Sequence, residues 1–395
     1  MPASDPEWHA LQGGLRVLEL VDAWLTPDER IPAPIAEHVL AVIGALEAMP
    51  VTNAARAILT GIAIAIEHAG VPDVRLIAPR LMAYGRSLDY DAKWSLAADI
   101  YRTLAIHILP SADPALAIDA NMRLGYCLRM LGDFTSAELA YAQAAQVAAS
   151  AGDASRALQV RLGDAALAWM RGNLPLAEEI LDATIAQSRT DPEYAAVRGL
   201  ALHDRAVVAH SRGQYEHAIQ FAYEALQHTQ SLTGRDRLLG DIANAFQALG
   251  VYSTAREAYL ILAATAQEQY VRWVVAVNLL EIAALEGSDP IFWQQSAKLE
   301  AERLPGPLEA SYRFFLAKGL HTFGRIDEAA VALGQAGQLA SAYKLNQLSF
   351  EIDNFRSEIA RGEAQHLRPV RRTPVSVEYV ATAISEMREL AGQPA

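Results

Sequence analysis

The chain has 395 residues, of which 52% are hydrophobic, 20% are charged and 7% are aromatic. This composition supplies enough apolar residues for a continuous core and excludes an intrinsically disordered chain. The formal net charge of -13 argues against nucleic acid as the main partner, because an acidic surface repels the phosphate backbone.

Cysteine content and the longest apolar stretch indicate in which cellular compartment the protein is expected. Cys127 is the only cysteine, so neither an intrachain disulfide nor a cysteine-based metal site can form. The first residues lack the basic and apolar regions of a signal peptide. The most apolar stretch, residues 57–66, is shorter than the roughly 20 residues that span a bilayer. We therefore expect a cytoplasmic protein with no membrane span.

Residues 1–77 predict an atypical N-terminal group of helices. Prolines at positions 2, 6, 27, 32 and 34 indicate an irregular lead-in, with one short helix over Leu11–Leu25. Two further helices are predicted over Pro34–Ala48 and Asn53–Ala69, with only weak repeat character.

A short motif recurs five times between residues 132 and 329. Each copy has a glycine, an apolar or aromatic residue two places later, and an alanine three places after that: Gly132–Ala137, Gly172–Ala177, Gly213–Ala218, Gly250–Ala255 and Gly324–Ala329. The glycines are separated by 40, 41, 37 and 74 residues, and the last interval is twice 37. A fixed period of this size is typical of stacked helical hairpins.

Each motif is predicted to form the turn of one hairpin. Before Gly132, apolar residues recur at helical spacing from Leu116 to Leu131, and a second helix follows over Ser136–Ala149. Glycine ends the first helix because a left-handed C-cap carries no Cβ penalty there. The alanine allows the two helices of a hairpin to approach closely.

The pattern resembles the tetratricopeptide repeat (TPR) at several positions in register. A small residue lies seven places before each turn glycine: Gly125, Ala165, Ala206, Ala243 and Ala317. The family's large residue, nine places after the glycine, corresponds to Tyr141, Leu181, Ala222, Tyr259 and Leu333. The period exceeds the usual length of about 34 residues, so the chain is most similar to longer-period TPR arrays of bacterial signalling and regulatory proteins.

The resemblance implies an all-α fold, an α-α superhelix in the form of a right-handed solenoid. Two degenerate units, with turns at Ala92 and Gly287, complete seven TPR-like hairpins over residues 78–343. Residues 344–362 predict a capping helix with an apolar stripe, residues 363–375 a basic linker, and residues 376–395 an amphipathic helix. We expect the apolar face of this last helix to pack on its own chain. A homodimer through that helix and a partner protein are the alternatives.

The sequence contains no motif that indicates catalysis or a cofactor. It has neither a dinucleotide nor a phosphate-binding loop, no zinc-protease motif and no nucleophile elbow. His203, His210 and His217 are seven residues apart, and seven residues rise ~10.5 Å along a helix, too far for one metal ion. Cys127 is expected to be a buried, inert thiol. We predict a protein that is not an enzyme, without cofactor or metal.

The TPR resemblance also implies a binding surface, because the first helix of each hairpin lines the concave groove in which the family binds peptides or helices. The residues transferred to this groove are Met82, Arg86, Tyr90, Met122, Tyr126, Arg129, Met130, Trp169, Met170, His203, His210, Asn244, Gln247, Glu281, Lys318 and His321. The first half is rich in methionine and aromatic residues, whereas the second half is polar. Asn244 takes the position at which peptide-binding TPRs often hold the ligand backbone. Gly240, one turn earlier, argues against the carboxylate clamp of chaperone-binding TPRs.

We therefore expect a non-catalytic scaffold or adaptor that binds a peptide or helix of a partner protein in this groove. The alternative is a regulatory sensor that binds a small peptide or metabolite and acts on an effector such as a transcription regulator. Residues 1–75 contain no basic recognition helix, which argues against direct contact with nucleic acid.

Overall fold

The computed structural model describes residues 6–26, 35–69, 71–362 and 371–391, and within these ranges the structure is helical with no strand. The chain divides into two compact units, Met1–Thr184 (unit 1) and Ile185–Ala395 (unit 2). The helices before the division are α1 Pro6–Leu25, α2 Ile35–Glu47, α3 Ala54–His68, α4 Ala78–Tyr90, α5 Trp94–His107, α6 Pro114–Met130, α7 Phe134–Ala151 and α8 Ala154–Met170. The division falls within α9, Leu174–Ser188.

Unit 2 contains the remaining helices. These are α10 Ala195–Ser211, α11 Tyr215–His228, α12 Leu232–Leu249, α13 Tyr252–Thr265, α14 Gln269–Glu286, α15 Asp289–Glu300, α16 Gly306–Thr322, α17 Ile326–Ala342, α18 Asn346–Arg361 and α19 Glu378–Ala391. Three short 3-10 helices lie at Val74–Leu76, Pro192–Tyr194 and Val375–Val377. No helix in the described ranges combines the length and apolar character needed to cross a membrane.

Consecutive helices pack as antiparallel hairpins. The pairs are α4–α5 and α6–α7 in unit 1, and α10–α11, α12–α13, α14–α15 and α16–α17 in unit 2. We call the first helix of each hairpin helix A and the second helix B; α8 and α9 follow in the same order. α15 begins after Ser288 and ends at Glu300.

The predicted turn residues adopt the left-handed backbone that the repeat requires. The φ angles of the turn glycines lie between 70° at Gly287 and 81° at Gly250, and Ala92 has φ 57°. A Cβ atom on Gly132 would meet nothing within 4 Å. Glycine is therefore favoured at this turn by backbone conformation and not by lack of space.

Within a hairpin, the small residue of helix A lies against the large residue of helix B. A Cβ atom on Gly125 would lie 2.6 Å from the Tyr141 ring, and one on Gly85 would lie 2.7 Å from the Tyr101 ring. Tyr101 is fully buried and Tyr141 is 2% exposed. In each of these two hairpins, the small and the large TPR residue therefore pack helix A closely against helix B.

Helices near the chain ends pack on the repeats of their own unit. α1 begins at Pro6, earlier than predicted, because proline is tolerated in the first turn of a helix. It packs along α2, α3 and α5. α19 packs on α11 and α13, and its residues Val380 and Ile384 are buried, as is Val377 just before it.

The region between α17 and α19 is described only in part. α18 ends at Arg361, is capped by Gly362 with φ 68°, and buries Ile352 and Phe355. Residues 363–370 of the predicted basic linker lie outside the described residues. Beyond them, the Arg371 N–H donates a 3.0 Å hydrogen bond to the Gly250 carbonyl.

Candidate functional site

All the predicted groove residues lie on A helices, but they differ in exposure. The exposed ones are Arg86, Tyr90, Met130, Met170, His210 and Asn244, and the half-buried ones are Met122, Tyr126, Arg129, Trp169, His203, Gln247, Glu281, Lys318 and His321. Met82 is only 5% exposed and belongs to the core. The same repeat position, ten residues before the turn, is buried at Leu162 and Val277 but half-buried at Met122 and His203. Met82 therefore offers no surface to a ligand.

In unit 1, an aromatic and arginine cluster forms on α6 and its neighbours. The Tyr126 ring packs edge-on against Trp94 with centroids 5.6 Å apart, and the Arg129 guanidinium lies 5.4 Å from the Tyr126 centroid. Arg129 Nη1 lies 3.4 Å from Sδ of Met170 on α8. Trp94 begins helix B of the preceding hairpin and was not among the groove residues predicted from the sequence. The cluster brings three of the predicted groove residues together around one exposed edge.

Beside this cluster, one carboxylate is held by two partners. The Tyr101 hydroxyl donates a 2.9 Å hydrogen bond to Asp89, and Arg123 forms a 3.4 Å ion pair with the same oxygen. Nearby, burial raises the pKa of the Cys127 thiol to about 12, and the charge of Asp89 adds to this shift. The thiol is fully buried and stays protonated at neutral pH, as the sequence predicted.

In unit 2, five side chains form a continuous chain of polar contacts across α12, α13, α14 and α16. This polar ladder consists of Asn244, Tyr259, Gln247, Glu281 and Lys318. The Tyr259 hydroxyl lies 2.5 Å from Asn244 Oδ1 and 3.2 Å from Gln247 Oε1. Gln247 Nε2 donates a 2.6 Å hydrogen bond to Glu281 Oε2, and Lys318 Nζ lies 3.1 Å from Glu281 Oε1.

The ladder orients the exposed amide of Asn244. Tyr259 is 1% exposed, and its burial raises the pKa of the hydroxyl, so this group is a neutral donor. The donor engages Oδ1 of Asn244, and the Asn244 Nδ2 hydrogens have no partner among the described residues. An amide in this state presents two N–H donors in a fixed direction.

At the other end of the polar ladder, the Lys318 ammonium group packs against aromatic rings. Lys318 Nζ lies 5.2 Å from the Phe314 centroid and 5.3 Å from the Phe315 centroid. His321 packs edge-on against Phe355 of α18, with centroids 5.8 Å apart. A recess of about 30 Å³ lies between these side chains and Glu281. Its size suits a water molecule or the tip of a small side chain.

The predicted histidines have separate partners and do not form a metal site. His203 Nε2 lies 2.8 Å from Asp241 Oδ2, whereas the His210 ring packs against Tyr215 at 5.1 Å. Burial opposes protonation of His203, but the hydrogen bond and charge of Asp241 outweigh it and raise the His203 pKa. Partial burial lowers the pKa of His210. Within the described ranges, no group of three or more potential ligands could hold a metal ion.

Solved structures share this arrangement of helices. The apo form of the quorum sensor NprR from B. thuringiensis is 13% identical and gives a TM-score of 0.53, covering 83% of this chain and 99% of that chain. The Rap conjugation gene regulator of the plasmid pLS20, in complex with the Phr* peptide, is also 13% identical and gives a TM-score of 0.51. That match covers 85% of this chain and 97% of the other.

The chain has a TPR-type fold. Neither a protein-family model nor a curated protein matches the sequence. The TPR-type hairpins were therefore recognisable in the sequence from the spacing of small residues, tyrosines and turn glycines, although overall identity to the solved structures is low.

Proposed function

We propose that the chain is a non-catalytic cytoplasmic binding protein that holds a peptide segment on the A-helix face of unit 2. The observation that carries this proposal is the exposed Asn244 amide, fixed from below by the buried Tyr259 hydroxyl. An amide with two N–H groups in a fixed direction can donate to the carbonyl groups of an extended peptide. Because the side chain is already ordered, binding costs little additional rotamer entropy.

The charges around the amide favour a neutral or basic peptide. Glu281 is already paired with Lys318, and Asp241 is paired with His203. The chain as a whole carries a formal net charge of -13. Long-range repulsion therefore selects against acidic peptides, most strongly at low ionic strength.

In unit 1, we propose the exposed and half-buried groove residues as a second contact surface. These are Arg86, Tyr90, Met122, Tyr126, Arg129, Met130, Trp169 and Met170. Methionine and aromatic side chains adapt to varied apolar partners, so this surface suits hydrophobic side chains of a peptide or helix.

The comparisons favour a second form of the same function, a regulatory sensor. The two solved structures with TM-scores above 0.5 are described as a quorum sensor and as a conjugation gene regulator bound to a peptide. In that form, the peptide is a signal and its binding changes how the chain acts on an effector. In the adaptor form, the peptide is part of the partner protein. Both forms use the Asn244 surface.

The experiment is a selection of peptides from a random linear library on the full chain, followed by titration calorimetry with a selected peptide. We expect Asn244→Ala to weaken binding about tenfold, which corresponds to about 1.4 kcal/mol for the lost hydrogen bonds. The matched control is Gln227→Ala, which removes an exposed amide from helix B of the same unit. A library without enriched peptides, or equal affinity of the Asn244→Ala variant, would overturn the proposal.

The two forms are separated by the response of the chain to the selected peptide. A sensor shows altered hydrogen exchange at amides away from the binding surface, because the peptide shifts a conformational equilibrium. An adaptor shows protection at the contact residues alone.

A further inference from the structure

Two grooves on the B-helix side of the repeats are filled by helices of the same chain. Each groove lies between the B helices of two successive hairpins, with the intervening A helix as its floor. α1 packs on α3 and α5, and a Cβ atom on its Gly14 would lie 2.0 Å from the Tyr84 hydroxyl of α4. In unit 2, α19 packs on α11 and α13. In this fold, grooves of this kind therefore bind amphipathic helices.

Among the described residues, no helix fills the equivalent groove between α5 and α7, which we call the open groove. This open groove has a volume of about 390 Å³, with Leu124 and Leu128 of α6 on its floor. Its walls include Ile106 and Leu139, which are 68% and 67% exposed. Leu124 lies eight residues before its turn, the same repeat position that Tyr84 holds beneath α1. Large apolar side chains at such exposure mark an interaction surface.

The neighbouring positions in α8 and α9 show that the repeat does not require an apolar groove. Asp164 takes the floor position of Leu124, and Arg161 takes that of Asn121. On helix B, Glu179 takes the position of Leu139. Since the fold accepts charged residues at these repeat positions, its own packing does not explain the apolar residues of the open groove.

We propose that the open groove docks an amphipathic helix of a partner protein. The chemistry of that helix follows from α19 and the residue before it, because the buried stripe of Val377, Val380 and Ile384 is β-branched and spaced by three and four residues. Small, branched side chains of this kind fit between two B helices above an A helix. Basic residues on the outer face of the partner helix complement the net charge of -13.

The contacts of α19 give the direction of the docked helix. In unit 2, the Gln220 side chain donates a 3.0 Å hydrogen bond to the Ser376 carbonyl, and the Tyr379 ring lies 5.6 Å from Tyr223, so α19 runs parallel to α11. In the open groove, Asp99 takes the repeat position of Gln220. Asp99 and Asp133 both lie near Arg102.

Arg102 itself lines the open groove and is paired with Asp99, with Asp133 nearby, so the direction is taken from α19. The partner helix lies parallel to α5, as α19 lies parallel to α11, with its N-terminus at Asp99.

The test uses a synthetic helical peptide with the sequence of residues 375–391, in which Glu386→Lys and Glu389→Lys supply the basic outer face. An environment-sensitive fluorophore on Gln143→Cys, at the edge of the groove, reports binding in the full chain. The native Cys127 does not interfere, because it is fully buried. We expect a saturable change in fluorescence.

Leu139→Glu is the test variant, and we expect it to weaken binding at least about tenfold, because the docked apolar stripe then covers a charge. Glutamate occurs at the same repeat position in Glu179 and Glu257, so the hairpin tolerates it. Val331→Glu is the matched control, since Val331 holds that repeat position on α17 and is 62% exposed. The control variant and Asn244→Ala retain the affinity of the unchanged chain.

Three outcomes would overturn the proposal: no saturable signal, equal binding by the Leu139→Glu variant, or equal weakening by Val331→Glu. A peptide with a C-terminal cysteine should cross-link to Ile106→Cys faster than one with an N-terminal cysteine, and the reverse order would reject the orientation. Sedimentation of the full chain tests whether a second copy of the chain, and not a partner protein, occupies the groove. A dimer that dissociates on Leu139→Glu would replace the partner helix with that second copy.

Discussion

The Tyr259 hydroxyl donates a 2.5 Å hydrogen bond to Oδ1 of Asn244, and this contact joins the packing of a hairpin to its surface. Tyr259 lies nine residues after the turn at Gly250 and is buried, whereas Asn244 is exposed on the adjacent A helix. The tyrosine that packs helix B against helix A therefore also orients the proposed ligand-binding amide.

Tyr259→Phe keeps the ring and removes the hydroxyl. We expect the free energy of unfolding to fall by about 1 kcal/mol, because the side-chain oxygens of Asn244 and Gln247 lose their donor. Affinity for a selected peptide should fall several-fold, since the amide is no longer held. Denaturant unfolding and calorimetry measure the two effects. Tyr101→Phe, at the same repeat position in unit 1, should lower stability without changing peptide affinity.

The turn and packing positions could be predicted from the sequence because each depends on a short stretch of chain. A glycine at a turn position indicates a positive φ at that residue alone, and Gly125 and Tyr141 belong to the same hairpin. The polar ladder could not be predicted in this way, since Lys318 and Glu281 are 37 residues apart and meet only after two hairpins have packed. The spacing also could not show that Met82 is only 5% exposed, since Met122 and His203 hold the same repeat position and are half-buried.

His203 and His210 should titrate in opposite directions from the usual histidine pKa of 6.5. Burial lowers the His203 pKa, Arg237 adds to this, and the stronger combined effect of Asp241 and Asp204 raises it above 6.5. Partial burial brings the His210 pKa below 6.5. NMR titration of the ring protons measures both values, and equal values near 6.5 would contradict the prediction.

The same shifts determine how stability depends on pH. The raised pKa of His203 contributes stability that is present below pH 6.5 and is lost as the pH rises through the folded-state pKa. The lowered pKa of His210 costs stability as the pH falls below 6.5. His203→Gln should therefore be most destabilising in mild acid, whereas His210→Gln should remove an acid-dependent loss. Denaturant unfolding on both sides of pH 6.5 measures this difference.

Ala92→Gly should stabilise the protein. Ala92 has φ 57°, a left-handed conformation that costs an L-residue with a Cβ atom about 1–2 kcal/mol. Glycine removes this cost but adds entropy to the unfolded chain, so we expect a net gain of up to about 1 kcal/mol in the free energy of unfolding. Gly132→Ala is the reciprocal change and should destabilise, with no steric contribution because nothing lies within 4 Å of the new Cβ atom.

Gly125→Ala should destabilise unit 1, because its Cβ atom would lie 2.6 Å from the Tyr141 ring. Such overpacking typically costs about 1–3 kcal/mol. Gly44→Ala is the control within helix α2: its Cβ atom meets nothing within 4 Å, so the better helix propensity of alanine should raise stability by about 0.5–1 kcal/mol.

A double variant tests whether the Tyr141 ring causes the cost at Gly125. Leu333 takes the place of that ring in α17, where the facing small residue is Ala317. Alanine at the small position and leucine at the large position therefore pack together without a clash. If the clash with the ring is the cause, Gly125→Ala should cost much less in a Tyr141→Leu background than in the unchanged chain. Equal costs in both backgrounds would show that the helix backbone, and not the tyrosine, requires glycine at position 125.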